Sequence, residues 1–277
     1  MSFTSYNVIP TTGGASSTKG AYSQVVASSP FASSRMHLLL QGAGNVNCSL
    51  LFDIAIGAAG SEVIIAADIP ARSDANFLLG SYLPINVDIP AGSRIAIRAQ
   101  GSIVSTGMET QILLEDRAIG SLANPIAYGV NASGSPVIGV TIDPGGTINT
   151  KSAYVQITAS TTARIDILTV YYTGLNTSST FAAWSIDIAT GAAGAETIII
   201  PDLRATANPA GGIPNLRPAY VTLPVSIPAG TRIAARVSAN FTTASARVIT
   251  VAVVGMQQPA GVTSLGESVQ FSVVRPV

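Results

Sequence analysis

The sequence predicts an all-β protein made of two tandem homologous antiparallel β-sandwich (jelly-roll-like) domains. Three observations support this fold class: an internal repeat, alternating apolar and polar residues in short runs rich in Val, Ile and Thr, and frequent Gly/Pro turn signals between those runs. No stretch of comparable length combines a helical apolar period with helix caps, so we expect helices to be minor or absent. A closed barrel is the alternative architecture.

The internal repeat is the strongest of these signals, because two blocks return in the same order. Residues 53–62 read DIAIGAAGSE, and residues 187–196 read DIATGAAGAE. Further on, residues 89–98 read IPAGSRIAIR, and residues 227–236 read IPAGTRIAAR. Self-similarity of this kind indicates that one structural unit occurs twice along the chain.

A third, shorter match extends the repeat toward the N-terminus. The segment TKGAYSQ at residues 18–24 corresponds to TKSAYVQ at residues 150–156. A Gly/Pro stretch at residues 143–146 precedes the second copy, as expected of a connecting segment. We therefore divide the chain into a first domain at residues 1–141 and a second domain at residues 142–277.

Alternation inside the blocks predicts which side chains face each core. Successive side chains of a strand point to opposite faces, so Ile54 is expected inside and Asp53 outside. By the same rule Ile97 faces the core, while Arg94 and Arg98 face outward. The Gly-Ala-Ala-Gly segments are expected to be turns between strands, because glycine adopts positive φ at little cost. A phosphate-binding loop would need a following Lys-Ser/Thr and a helix, and the sequence offers neither there.

The composition indicates a surface that other subunits cover. Charged residues make up only 10 % of the chain, against about 25 % in ordinary globular proteins. The formal net charge is zero, which removes the self-repulsion that keeps proteins monomeric. We therefore expect a homo-oligomer. The 14 basic residues are dispersed and matched by 14 acidic ones, which argues against nucleic-acid binding.

The sequence shows no targeting signal or membrane helix and contains a single cysteine. The first six residues lack the positive and apolar stretches of a secretory signal, and no window reaches the roughly 18 apolar residues of a membrane helix. We therefore expect the protein to be made and folded in a reducing cytoplasm, with no membrane partner. Cys48 is the single cysteine, and we expect it to be a small buried hydrophobe rather than a nucleophile.

The sequence contains no recognisable catalytic or metal-binding pattern. His37 is the single histidine, expected on a strand and half-buried, and no G-x-S-x-G elbow accompanies it. Zinc-ligand and EF-hand spacings are also missing. Asp53 and Glu62 could serve a glycosidase as acid and base, but the pair occurs in both copies, which a catalytic pair seldom needs. We expect no enzyme activity, cofactor or metal.

Charged residues that recur in both copies are the candidate interaction site. They are Lys19, Asp53, Glu62, Arg94 and Arg98 in the first copy and Lys151, Asp187, Glu196, Arg232 and Arg236 in the second. One interpretation is that they form ion pairs within each domain and order the outer sheet face, with Asp53 accepting from Arg98. The alternative is that they cross a subunit interface, where bidentate arginine sets the register.

Aromatic side chains offer a further, weaker site. Tyr171, Tyr172, Trp184 and Tyr220 could line a shallow sugar-binding surface, although aromatics total only 6 % of the chain. Packing in the core, with a polar tip on each ring, explains the same residues.

At the repeated blocks the chain resembles virion structural proteins of tailed bacteriophages. The resemblance covers about a third of each copy and is one of motif style, without a binding-site signature, so it transfers no functional residue. It implies an all-β subunit displayed on a capsid or tail, often as a homo-oligomer, with no cofactor.

We therefore expect a capsid decoration or cement protein located in the virion, with the major capsid protein or tail proteins as partners. The alternatives are a receptor- or glycan-binding module of a tail appendage and a glycoside hydrolase.

Overall fold

The protein is all-β and antiparallel, as the sequence predicts. The computed structural model describes residues 3–41, 48–73, 81–116, 124–130, 139–175, 182–207, 215–243 and 247–258. Within these ranges the regular elements are all strands, arranged in four antiparallel sheets. The same ranges hold no helix with the length and hydropathy needed to cross a membrane.

The first sandwich is a jelly roll. Its strands are β1 (Phe3–Val8), β2 (Ser23–Val26), β3 (Ser33–Gln41), β4 (Cys48–Ile56), β5 (Val63–Ser73), β6 (Ser81–Ile89), β7 (Ile95–Gly101) and β8 (Glu109–Glu115). Sheet I has the strand order β1-β8-β3-β6, and sheet II has the order β2-β7-β4-β5. In this order each sheet takes strands from both halves of the chain segment, as two interleaved Greek keys do.

The second sandwich repeats the same topology. Its strands are β9 (Ile126–Tyr128), β10 (Val140–Ile142), β11 (Val155–Thr158), β12 (Ile165–Leu175), β13 (Ala182–Thr190), β14 (Thr197–Ala207), β15 (Asn215–Ile227), β16 (Ile233–Ala239) and β17 (Ile249–Met256). Sheet III has the order β10-β17-β12-β15, with β9 also pairing β17, and sheet IV has the order β11-β16-β13-β14. Together β9 and β10 take the place that β1 has in the first sandwich.

The strand pairing shows that the second sandwich begins upstream of residue 142, where the sequence repeat divides the chain. β9 pairs with β17 through Ile126 and Gly255, and β10 pairs with β17 through Val140 and Val251. β9 thus belongs to the second sandwich although it precedes residue 142. Sequence comparison misses it because residues 129–139 separate β9 from β10, whereas β1 is one uninterrupted strand.

Each sandwich encloses its own apolar core, formed by the inward side chains of both sheets. Phe52, Ile54 and Ile97 are fully buried in the first core, as the alternation predicts. In the second core, Trp184 is 1 % exposed, and its indole N–H donates to the Arg247 carbonyl at 2.7 Å. The buried indole therefore retains a hydrogen-bond partner.

The two sandwiches pack together through a sheet face and a sandwich edge. The face of sheet III that points away from its own core contributes Ile167, Val254 and Met256 to the core cluster of the first sandwich. On the same face Tyr171 is fully buried and packs against Leu51 of β4. The central strands of sheet III are therefore covered on both faces, and the two domains share a largely apolar interface.

Side chains of the second sandwich donate hydrogen bonds across this interface to carbonyl groups of the edge strand β5. The Tyr220 hydroxyl donates to the Pro70 carbonyl. Asn124, just before β9, donates from Nδ2 to the Ile64 carbonyl at 3.4 Å. The carbonyls of an edge strand lack a partner strand on one side, so side chains of the second sandwich satisfy two of them.

Candidate functional site

The three repeated blocks meet in space as one polar cluster on the outer face of sheet II. β4 and β7 run antiparallel, and their register places Asp53 opposite Arg98. The third block leads into β2, which pairs with β7 from the other side. Blocks that are distant in sequence are therefore neighbours, and an equivalent cluster lies on sheet IV.

Asp53 is the centre of the first cluster. It points away from the core as predicted, yet it is only 1 % exposed. Its carboxylate accepts from Lys19 Nζ at 2.6 Å and from Arg98 Nε at 2.8 Å. It also accepts from the backbone N–H of Asp68 at 3.0 Å. A buried carboxylate with two cations and a backbone donor has its hydrogen-bonding capacity well used.

The bond to Asp68 explains why a side-chain acceptor is needed at this position. Asp68 has φ of +53°, and the register between β4 and β5 shifts beside it. A residue with positive φ in a strand marks a bulge, whose N–H is left without a ladder partner. Asp202 repeats this geometry with φ of +48°, and its N–H donates to Asp187 at 2.9 Å. The recurring aspartate thus stabilises a recurring bulge.

Arg94 connects the Gly-Ala-Ala-Gly turn to the sheet. Its guanidinium donates to Glu62 at 3.0 Å, to the Gly57 carbonyl at 3.1 Å and to Gln24 at 3.0 Å. The other carboxylate oxygen of Glu62 accepts from the Gly60 N–H at 2.9 Å. The segment is a turn as predicted, with φ of +110° at Gly57 and +81° at Gly60.

The second cluster repeats the contacts just described for the first. Asp187 accepts from Lys151 at 2.7 Å and from Arg236 at 2.9 Å. Arg232 donates to Glu196 at 2.9 Å and to Gln156 at 3.1 Å. The same set of partners therefore occurs twice.

A tyrosine also contacts each cluster, and this contact explains why the third block has the same residue spacing in both copies. The guanidinium of Arg98 lies 4.6 Å from the ring centroid of Tyr22, and that of Arg236 lies 4.7 Å from Tyr154. This is the range of a cation–π contact. Lys, Tyr and Gln of the block thus contact Asp53, Arg98 and Arg94 in turn.

All ten recurring charges therefore have a partner inside their own domain. These contacts are the ones that the first interpretation of the sequence describes, including the bond from Arg98 to Asp53. The side chains of Lys19 and Arg98 remain 22 % and 27 % exposed, so one edge of the cluster faces solvent. A second role at a subunit interface stays a prediction.

We expect the protein to lose stability on acidification as Asp53 and Asp187 take up protons. Burial raises the pKa of each carboxyl, but the bonds from lysine, arginine and backbone N–H outweigh it and bring both below the ordinary 3.8. As the pH falls, the unfolded chain therefore binds these protons before the folded chain does. The stability that the two carboxylates contribute is fully present above the unfolded pKa of about 3.8, and it is lost as the pH falls through the lower pKa of the folded state. Urea unfolding between neutral and strongly acidic pH measures this.

The Asp53→Asn variant is the control for that experiment. It lacks one of the two titrating groups, so its stability should depend less steeply on pH below about 4. An equal pH slope for variant and wild type would contradict the assignment.

His37 and Cys48 are both buried, in surroundings that suit a role in packing. His37 is 8 % exposed on the outer face of sheet I, between the Tyr82 hydroxyl at 2.5 Å and Glu115 at 3.3 Å. Burial lowers the pKa of His37, although the hydrogen bond to Glu115 opposes this. Cys48 is fully buried, as predicted. In the described part of the chain, no three His, Cys, Asp or Glu side chains form a group that could hold a metal ion.

The aromatic residues pack inside the protein, which is the second of the two interpretations that the sequence allows. Trp184 and Tyr172 are 1 % and 6 % exposed in the second core, and Tyr171 is fully buried in the interdomain contact. Tyr220 lies in the same contact, and burial raises its pKa well above the ordinary value. These positions in the second core and in the interdomain contact do not form a sugar-binding surface.

Sequence reasoning did not find a cleft at the edge of sheet I. It has a volume of about 450 Å³ and is lined by β1 and β8 with residues on either side, among them Asn7, Glu109 and Gln111. Polar residues at strand ends are common in any sandwich, so the sequence carries no signal that would single them out.

Comparisons with known proteins show distant likeness of fold. No protein-family model and no curated protein matches the chain. The structure of PNGF-II is similar with a TM-score of 0.38 and 11 % identity, and the match covers 92 % of this chain and 65 % of PNGF-II. The chain thus spans slightly less than two thirds of that protein.

Two further solved structures align over most of the chain. The tandem CBM22-1-CBM22-2 domain of Paenibacillus barcinonensis Xyn10C has a TM-score of 0.27 at 8 % identity, covering 92 % of this chain and 93 % of that one. The VP2 subviral particle of infectious bursal disease virus has a TM-score of 0.26 at 11 % identity, covering 94 % and 72 %. Likeness at this level carries no argument about activity, ligand or partner.

Proposed function

We propose that the protein is a non-enzymatic structural component of a bacteriophage particle, a capsid decoration or cement protein that bridges neighbouring capsid subunits. The observation that carries this proposal is the fusion of two jelly rolls through a buried, largely apolar interface, with the recurring charges paired inside each domain. What remains outside is a large, weakly charged surface, which is suited to contacts with other subunits.

Exposed apolar side chains support this role. Phe3 and Ile9 are 52 % and 56 % exposed beside sheet I, and Ile148 and Ile198 are 52 % and 40 % exposed on the second sandwich. Single exposed apolar residues are normal on a monomer. Here they occur on both sandwiches and on a surface with few charges, as in a subunit with several neighbours.

The pKa directions argue against the glycosidase alternative. A general acid needs a raised pKa so that it is protonated near neutral pH. Burial favours such a rise at Asp53 and Glu62, but hydrogen bonds from basic side chains and backbone N–H groups bring the pKa of both below the ordinary value. Neither carboxyl would be available as the proton donor, and we propose no catalytic activity.

Particle stability tests the proposed role. Purified particles stripped of this protein should break open at a lower temperature or after a milder osmotic shock than intact particles, and adding back the purified chain should restore resistance. Unchanged resistance after complete stripping would contradict a cementing role.

The cleft at sheet I favours one second candidate, a glycan- or receptor-binding module of a tail appendage. Asn7, Glu109 and Gln111 offer the amide and carboxylate groups with which proteins bind sugar hydroxyls. Glycan-array binding that is lost in Gln111→Ala and kept in Ile148→Ala would support it. Failure of the wild-type chain to bind any glycan on the array would argue against it.

A further inference from the structure

The two sandwiches differ at one pair of equivalent edges. At the edge formed by β5 and β6, Leu83 and Ile85 are fully buried, because sheet III covers this edge. The equivalent edge of the second sandwich is formed by β14 and β15. There Val221 and Leu223 occupy the same positions and are partly exposed.

The same contrast holds on the neighbouring strand. Ile65 and Ile69 of β5 are 5 % and 0 % exposed. Their equivalents in β14, Ile199 and Leu203, are partly exposed. The apolar strip that we call the open edge consists of Ile199, Leu203, Val221, Leu223 and Val225. Its side chains match those of a buried edge, yet no described residue covers them as sheet III covers β5 and β6.

The surface that covers β5 and β6 also has an equivalent, which is the outer face of sheet I. Strand register matches Tyr82 to Tyr220, and Leu39 to Tyr171. Tyr82 is 39 % exposed, and Leu39 is partly exposed. Leu113, which matches Val254, is partly exposed on the same face. Among the described residues, each chain therefore carries one edge and one face that are equivalent to the two halves of the internal interface and are only partly buried.

We propose that the open edge binds the outer face of sheet I of a second copy of this chain. The contact repeats between chains the packing that joins the two sandwiches within a chain. A second copy is the occupant because the two surfaces are the structural equivalents of the two halves of the internal interface. This inference is independent of the proposed role in a phage particle.

Residue differences between the open edge and the edge formed by β5 and β6 indicate that the contact between chains is more polar than the internal one. Ser185 occupies the place of Leu51, and its hydroxyl donates to Asp202 at 2.6 Å. Arg204 occupies the place of Pro70, whose carbonyl accepts from Tyr220. Interfaces between separately folded chains are commonly more polar than the permanent ones. We therefore expect association that is reversible and concentration-dependent.

The contact is heterologous, because an edge on one copy meets a different surface on the next. Such contacts close into a ring if the rotation between copies allows it, and otherwise extend into a filament. A two-fold dimer, in which the same surface meets itself, is a different arrangement. This distinction gives the test.

Two full-chain variants test the inference by sedimentation velocity over a concentration series. Leu223→Asp alters the open edge, and Leu113→Asp alters the face. Each alone should associate at least about tenfold more weakly than wild type, because a charge is placed in the centre of an apolar contact. Mixed in equal amounts they should form a dimer and nothing larger, since the intact face of one fits the intact edge of the other.

Controls separate folding from association. Ile148→Asp, on an exposed residue outside both surfaces, should associate as wild type does. If circular dichroism shows that Leu223→Asp does not fold, Leu223→Thr replaces it as the milder edge variant. A wild type that remains monomeric throughout the series, or folded variants that do not pair when mixed, would overturn the inference.

Discussion

Replacing Asp53 with alanine is expected to lower the free energy of unfolding by about 2–4 kcal/mol. The carboxylate is buried and accepts from Lys19, Arg98 and the backbone N–H of Asp68. Its removal leaves the bulge N–H without an acceptor and two cations without their counter-ion. The cations are partly exposed and can turn toward water, which keeps the loss below that of a fully buried pair. Chemical unfolding measures the change.

Asp143→Ala is the matched control for this substitution. Asp143 also forms an ion pair, with Arg247, but its side chain is 50 % exposed. Exposed ion pairs contribute at most about 1 kcal/mol, so this variant should remain close to wild type. Equal losses in Asp53→Ala and Asp143→Ala would contradict the structural role of the cluster.

Tyr171→Ala is expected to destabilise the protein by about 3–5 kcal/mol and to separate the unfolding of the two domains. The ring is fully buried between the sandwiches, against Leu51 and next to Tyr220 at a centroid distance of 5.3 Å. Its removal leaves a cavity in the contact that couples them. Scanning calorimetry should then resolve two transitions where the wild type shows one.

Leu39→Ala is the control for the interface. Leu39 occupies the position on the first sandwich that is equivalent to Tyr171, and its side chain is already partly exposed in the wild type. At protein concentrations below self-association it should retain a single transition and lose about 1 kcal/mol or less. Two independent transitions already in the wild type would contradict a shared interdomain core.

The sequence alone predicts the local structure of each sandwich well. Period-two alternation assigns Ile54 and Ile97 to the core, and both are fully buried. Glycine at residues 57 and 60 predicts the turn, and both have positive φ. The pairing of Asp53 with Arg98 is also accessible from the repeat, because both recur together in each copy. These features depend on strand geometry and short-range turns, which a single chain segment encodes.

Features that depend on contact between the sandwiches are not visible in the sequence. Leu51 points away from its own core, and it is buried against Tyr171 and Ala252 of the second sandwich. The burial of Tyr171 likewise follows from a distant segment, so the sequence alone could not decide between a sugar-binding surface and packing for this ring. The bulge at Asp68 also escapes prediction, because its positive φ depends on an acceptor 15 residues earlier in the chain.

A cryo-electron microscopy reconstruction of purified particles tests the proposed function most directly. We expect density for paired jelly rolls on the outside of the shell, in contact with at least two neighbouring capsid subunits, with weakly charged faces of the sandwiches buried in those contacts. Particles that lack this chain altogether, or that carry it only at a tail tip against a host glycan, would contradict the proposal.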